Sequence, residues 1–301
     1  MTTSLSPDRV AELEASLHPL KVDAETGEPY LRLPKPLEHI VITPQRLTDV
    51  AVSVKNLNDL RIARFFVGPP YPYEEEHAVS WLTIGIERTA GLVSTLKPGE
   101  YADGQPVNAI RDTRNCSIKD AGMIGDCTID RCVFGEIMDM DERKRLAEDN
   151  AAKKVGDPTI VWQVGDWVDP AYHGQGIMTA VLRAIMENWV VPRMNAHYIT
   201  ALAHSENRGS VRVFEKNGFK CVREVPNCVT ITEAKGGGRT GLHVLSWRED
   251  RGKWNHVDIP ATDTIQDSTT RGLVDKYLGV GETIFDVAQA TAVNSSWFKR
   301  K

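Results

Sequence analysis

Long apolar runs are missing from this chain. No window approaches the ~20 apolar residues that span a bilayer. The N-terminus carries Asp8, Arg9, Glu12 and Glu14 where a secretory leader needs an apolar stretch. Cysteine is scarce as well. Cys116, Cys127, Cys132, Cys221 and Cys228 make an odd set of five without CxxC spacing. That suits a reduced intracellular protein better than a disulfide frame or a zinc site. No metal centre is expected, and the expected location is the cytoplasm. An excess of positive charge is lacking too: the formal net charge of −5 gives no general pull on nucleic acid or anionic membranes. An anionic ligand would therefore rely on local dipoles and a few basic side chains. Internal repeats and low-complexity tracts are also absent.

What remains is ordinary globular material. At 301 residues, 41% hydrophobic and 26% charged, the chain has room for one large domain or two small ones with a sizeable core. Ser6-Pro7 predicts a short helix carrying Val10, Leu13 and Leu17, and residues 18–38 read as an irregular, proline-punctuated arm. A strand at 39–43 leads, through Thr43-Pro44, to a helix over about 44–57. The prolines of Phe65-Phe66-Val67-Gly68-Pro69-Pro70-Tyr71-Pro72 enforce a rigid loop, and 74–89 resumes as a helix. Strands are expected at 107–111 and 122–132. The segment near 139–157 is charged and reads as an exposed, helix-prone excursion.

The most informative stretch is 169–220. A strand over 159–168, with Ile160, Trp162, Val164 and Val168 alternating, runs into His173-Gly174-Gln175-Gly176-Ile177-Met178, which opens an amphipathic helix over 176–191. Such a turn leaves backbone N–H groups unpaired and aimed at one point, which suits a pyrophosphate. A strand at 197–203 follows, then Asn207-Arg208-Gly209-Ser210, a short helix over 209–217, and Gly218 as its left-handed stop. Strands at 219–224 and 242–247 flank a flexible hairpin tip at 235–239. The tail beyond 250 holds one expected helix, 282–293.

This order of elements resembles the GNAT N-acetyltransferase superfamily, and within it the Rim-like branch of ribosomal-protein-alanine acetyltransferases. Over roughly 39–248 the resemblance rests on Val107-Asn108-Ala109-Ile110-Arg111-Asp112, Ile124-Gly125, the Gly165-Asp166-Trp167 strand, the helix-start turn, and Asn207-x-x-Ser210 ending in Lys216-Asn217-Gly218-Phe219. It implies an α/β (α+β) fold: a mixed, mostly antiparallel twisted sheet with two central parallel strands that splay, and helices on both faces. The implied organisation is an N-terminal arm at 1–38, an acetyltransferase domain at 39–250, and a C-terminal extension at 251–301 with three open roles: capping the cleft, covering an edge strand, or joining two copies as a homodimer.

The implied reaction moves the acetyl group of acetyl-CoA to a primary amine, that of a small molecule first and a protein N-terminus second. A non-catalytic acyl-CoA-binding module is the third reading. The resemblance implies cofactor contacts at Val168 (its amide facing the thioester carbonyl), His173, Gly174, Gln175, Gly176, Ile177, Met178, Asn207, Ser210, Phe214 and Lys216. Two departures stand out. The family's first motif, Q/R-x-x-G-x-G/A, has His173 in its first place and Met178 in its last, and Phe214 stands where many members carry a tyrosine that protonates the leaving thiolate. A thiol of pKa near ~8.5 leaves fairly well unaided, and Ser210 is the residue expected to donate to it. Candidate bases are His204, whose imidazole titrates near ~6.5, and Asp166. Glu136 ranks lower because strand alternation would put it on the solvent face. Arg212 and Lys216, four apart on the short helix, are candidates for the phosphates.

Overall fold

The structure, a computed structural model, describes residues 4–249. The helix expected at 282–293 and the rest of the 251–301 extension lie outside the described residues. Ser6 caps helix α1 (Pro7–Leu17), its Oγ accepting the Arg9 amide at 3.3 Å. Residues 18–38, expected to be irregular, supply two strands instead, β1 (Lys21–Val22) and β2 (Pro29–Arg32). Leu20, Val22, Leu31 and Leu33 are all buried there. Strands this short, set among prolines, carry too little alternation to be read from sequence. β3 (Ile40–Thr43) is buried on both faces. The next helix starts later than Thr43-Pro44 suggests, as α2 (Val50–Leu57), because Thr43 does not cap it: Thr43 Oγ1 accepts from Arg111 Nε at 2.7 Å.

α3 (Leu60–Ala63), the proline-rich loop and α4 (Glu75–Thr95) follow, then β4 (Ala109–Asp112), β5 (Met123–Arg131), α5 (Met140–Ala152) and β6 (Val161–Val168). α5 is less exposed than its charge suggests. It buries Arg143, Ala147 and Asn150, and Asn150 Nδ2 donates to the Val161 carbonyl at 2.8 Å. α6 (Ile177–Ile185) continues through a π-turn (Met186–Val190) into α7 (Val191–Met194). β7 (Tyr198–His204), α8 (Arg208–Lys216), β8 (Lys220–Thr230) and β9 (Arg239–Arg248) complete the described chain.

The strands form one sheet in the order β1-β2-β3-β4-β5-β6-β7-β9-β8. Every pairing is antiparallel except that of β6 with β7. Helices cover both faces. On one, Val181, Leu182 and Ile185 of α6 pack with Cys127, Trp162, Val164, Ala201 and Leu245; each large apolar side chain so buried contributes about 1.5–3 kcal/mol. On the other, α2, α3 and α4 gather Leu57, Ile62, Tyr73 and Ala78, with Trp167 of β6 against them. Beside this second core, Arg111 and Asp49 form a buried two-pronged ion pair, both contacts at 2.8 Å.

Candidate functional site

The sheet opens where β6 and β7 part. Their parallel register runs from Val161 opposite Tyr198 to Val164 opposite Ala201 and ends there. β6 continues to Val168 along β5, and β7 continues to His204 along β9. The backbone from Gly165 to Val168 therefore faces the segment from Leu202 to His204 across a gap. The Asp169 amide donates to Ile124 on β5 at 2.7 Å. Alternation along the strand then turns the amides of Asp166 and Val168 toward the gap.

The turn at the mouth of this gap is built by its glycines. Gly174 and Gly176 have φ of 75° and 76°, a region that glycine enters without the penalty a Cβ brings. Gly176 is the N-cap of α6. The side chains of Ile177 and Met178 are buried, 2% and 5% exposed, so their amides alone remain available outside. The amides of Gly176, Ile177 and Met178 meet no acceptor among the described residues. A Cβ built on either glycine would find nothing within 4 Å, so the space in front of this backbone is open. These features fit a diphosphate held at a helix N-terminus. The two long polar side chains of the turn are committed locally: His173 Nε2 meets the Val168 carbonyl at 2.9 Å, and Gln175 Nε2 donates to the Ala171 carbonyl at 3.0 Å.

α8 follows β7 directly, and Asn207 caps it, Oδ1 accepting the Ser210 amide at 3.1 Å. The Ser210 hydroxyl is half-buried and has no partner among the described residues. Phe214 does not sit where its expected cofactor role requires. It is 1% exposed and packs on Phe219, ring centroids 5.3 Å apart, as part of the core. Arg212 and Lys216 are exposed, and the Lys216 carbonyl accepts from Arg183 at 3.0 Å.

The two candidate bases lie on opposite faces. Asp166 is paired with Cys127 on the α6 side. Burial pushes its carboxyl up to about 6, and burial together with the Asp166 charge pushes the Cys127 thiol up. His204 points the other way. Its ring stands edge-on to Phe65 at 5.8 Å, is 4% exposed, and neither ring nitrogen has a partner among the described residues. Desolvation, only partly offset by Glu206, pushes the imidazole pKa down.

Other polar groups on the His204 face escaped the sequence reading. Asp126, 5% exposed, accepts from Gln45 Nε2 at 2.7 Å, and burial pushes its carboxyl up to about 7. Burial, helped by the Asp126 charge, pushes the neighbouring Tyr73 phenol up to about 12. An acid inside Met123-Ile124-Gly125-Asp126-Cys127 was a readable signal. Glu136 is not on the solvent face: it lies beyond the end of β5 and is 5% exposed. The hairpin tip is anchored, since Lys235 Nζ donates to the carbonyls of Phe66 at 2.8 Å and Pro69 at 3.1 Å.

A family model described as an acetyltransferase (GNAT) domain matches residues 39–220. The chain belongs to the GNAT acetyltransferases. A second model, Mitofissin, matches residues 259–300, outside the described residues. A comparison with curated proteins gives no match. Among solved structures, the ribosomal-protein-S5-alanine acetyltransferase of Vibrio fischeri is 17% identical, with 72% of this chain and 96% of that one covered and a TM-score of 0.48. RimL, a ribosomal L7/L12 α-N-protein acetyltransferase, is 12% identical in its apo form, with 76% and 99% covered and a TM-score of 0.50. In its complex with coenzyme A the values are 13%, 73%, 97% and 0.49. At these identities the likeness is one of fold.

Proposed function

We propose that this protein uses acetyl-CoA to acetylate the primary amine of a small molecule. The observation that carries the proposal is the gap between β6 and β7 with the unpaired amides of Gly176, Ile177 and Met178 at its mouth. When bound, acetyl-CoA supplies the thioester carbon that the amine attacks. The turn amides would hold the diphosphate, and Asn207 would face the pantetheine arm. The Val168 amide, turned to the gap, would donate to the carbonyl oxygen as it gains charge. Ser210 carries an uncommitted hydroxyl that would donate to the departing sulfur. His204, desolvated and therefore neutral near pH 7, is the group suited to take the amine's proton. Asp166 faces α6 and is the weaker candidate.

The acceptor side supports a small molecule over a protein terminus. The proline-rich loop and the β8–β9 tip are tied together through Lys235, a fixed wall suited to a small acceptor. The test is thiol release from acetyl-CoA with a panel of small amines and short peptides, alongside calorimetry with coenzyme A. Release with small amines is the expected outcome. Binding of coenzyme A without release to any acceptor would leave the acyl-CoA-binding module; release with peptides alone would move the acceptor to protein termini.

A further inference from the structure

Three charged side chains on the His204 face of the sheet have no use so far: Glu136, Arg143 and Arg223. Glu136 and Arg143 are 5% and 7% exposed. Glu136 Oε2, Arg143 Nη2 and Arg223 Nη2 are each buried without a hydrogen-bond partner among the described residues. The electrostatics tie them together, because both arginines act on the Glu136 carboxyl and pull its pKa down against a larger upward push from burial. Yet neither guanidinium forms an ion pair with it. A buried guanidinium keeps its charge, and leaving it unpaired is costly. The expected compensation is a group that the described residues do not supply.

Their placement is set by the fold. Arg143 projects from α5, and its Nε donates to the Val133 carbonyl at 3.2 Å. A Cβ on Gly135 would lie 3.4 Å from Leu202 Cδ1 and 4.0 Å from Arg143 Nη2. The guanidinium and Leu202 therefore both border Gly135, and Leu202 is the first residue of β7 past its register with β6. Arg223 reaches this face through a break in register. A shift between Cys221 and Arg223 leaves Val222 unpaired and sets Arg223 opposite Val244, whose partner on the other side is Leu202. So one cation on β8 and one on α5 converge with a carboxylate at the edge of the gap.

We propose that Glu136, Arg143 and Arg223 form the acceptor subsite, and that the acceptor is an amine that also carries a carboxylate, the α-amino acids being the simplest of this class. This rests on the acetyl-transfer reading above and names its substrate. The planar guanidinium forks match a carboxylate's two oxygens, and the unpaired oxygen of Glu136 accepts from the ammonium before it loses its proton. An amine without the carboxylate leaves Arg143 Nη2 and Arg223 Nη2 buried without an acceptor, which selects against it.

The test compares each of a panel of α-amino acids with its α-carboxamide and its decarboxylated amine by thiol release. The expected result is a preference of about 10- to 100-fold in kcat/KM for the carboxylate form. In Arg223→Gln and Arg143→Gln the ratio of acid to carboxamide should fall toward one, with thermal melting to verify that each variant folds. Because Arg143 is buried and its replacement tests folding as well, calorimetry of amino-acid binding to the wild-type protein loaded with coenzyme A gives an independent reading. Equal turnover of acid and carboxamide overturns the subsite while leaving acetyl transfer standing. Amino-acid binding without turnover keeps the subsite and removes the transfer reading. Neither binding nor turnover of any amino acid overturns the subsite outright.

Discussion

Lys235 Nζ lies 2.8 Å from the carbonyl oxygen of Phe66, joining the β8–β9 tip to the proline-rich loop across 169 residues of sequence. Among the described residues no carboxylate pairs with this ammonium: its two acceptors are backbone carbonyls, and burial pushes its pKa down. A charged donor to a neutral acceptor contributes about 1.5–3 kcal/mol where water is excluded. Lys235→Met should therefore loosen the wall beside His204. The expected outcome is a several-fold rise in KM for the amine with a smaller change in kcat, because Lys235 touches no reacting group. Steady-state kinetics with the best amine of the panel decides it.

Gly176→Val tests the diphosphate site. The space before the glycine is open, so a side chain meets no protein atom. The penalty comes from the φ of 76°, about 1–2 kcal/mol for a residue with a Cβ, and from a branched chain standing where the phosphate must approach. Affinity for coenzyme A should drop by about tenfold or more, while thermal unfolding shifts by only a few degrees. Calorimetry showing full affinity in a folded variant would move the cofactor elsewhere.

Ser210→Ala isolates the hydroxyl. Asn207 bonds the backbone amide of residue 210, not its side chain, so the helix cap survives the change. The expected result is a fall of about tenfold or more in kcat, with the dissociation constant for coenzyme A unchanged. An unaltered kcat under conditions where chemistry limits turnover would take serine out of the thiolate role.

The glycine turn and helix cap proposed to hold the cofactor were legible because their signals are local. A glycine turn at a helix start and an Asn-x-x-Ser cap are written in consecutive residues, and both fall where the sequence put them. The three residues proposed for the acceptor were not. Glu136 comes from a loop, Arg143 from α5 and Arg223 from a bulged strand, and no periodicity links the three. Phe214 was misplaced for a related reason. Its spacing from Asn207 suggested a site position, but the helical face it occupies turns toward Phe219 and the core. The parting of β6 and β7 at Val164 and Ala201 was expected from the resemblance; the strands' own alternation does not encode it.

Asp126 makes stability depend on pH in a definite direction. Its carboxyl is pushed from the ordinary 3.8 up to about 7 in the fold. Between about pH 4 and 7 the folded protein therefore holds a proton that the unfolded chain has released, and raising pH through that window lowers stability. Asp166, pushed up to about 6, adds to the same slope. Asp126→Asn keeps a side-chain oxygen for Gln45 and removes the titration. Its melting temperature should lose less than that of the wild type between pH 5 and 8. Parallel curves for the two proteins would show that Asp126 is ionised throughout.

With His204 as the proposed base, it should set the pH dependence of turnover. As the base, it must be neutral in the free enzyme, and desolvation has already moved its pKa below the ordinary 6.5. The acid limb of kcat/KM should therefore fall below pH 6.5, with activity constant through neutrality until the amine's own ionisation intervenes. His204→Gln cannot take up the proton. It should lower kcat by about 100-fold or more and abolish that limb. Substitution also removes a ring set edge-on to Phe65, so a folding defect alone would depress the rate at every pH and leave the shape of the profile intact. The shape separates the two causes: an acid limb that persists unchanged in His204→Gln would assign the proton to another group on this face, with Asp126 the first to examine.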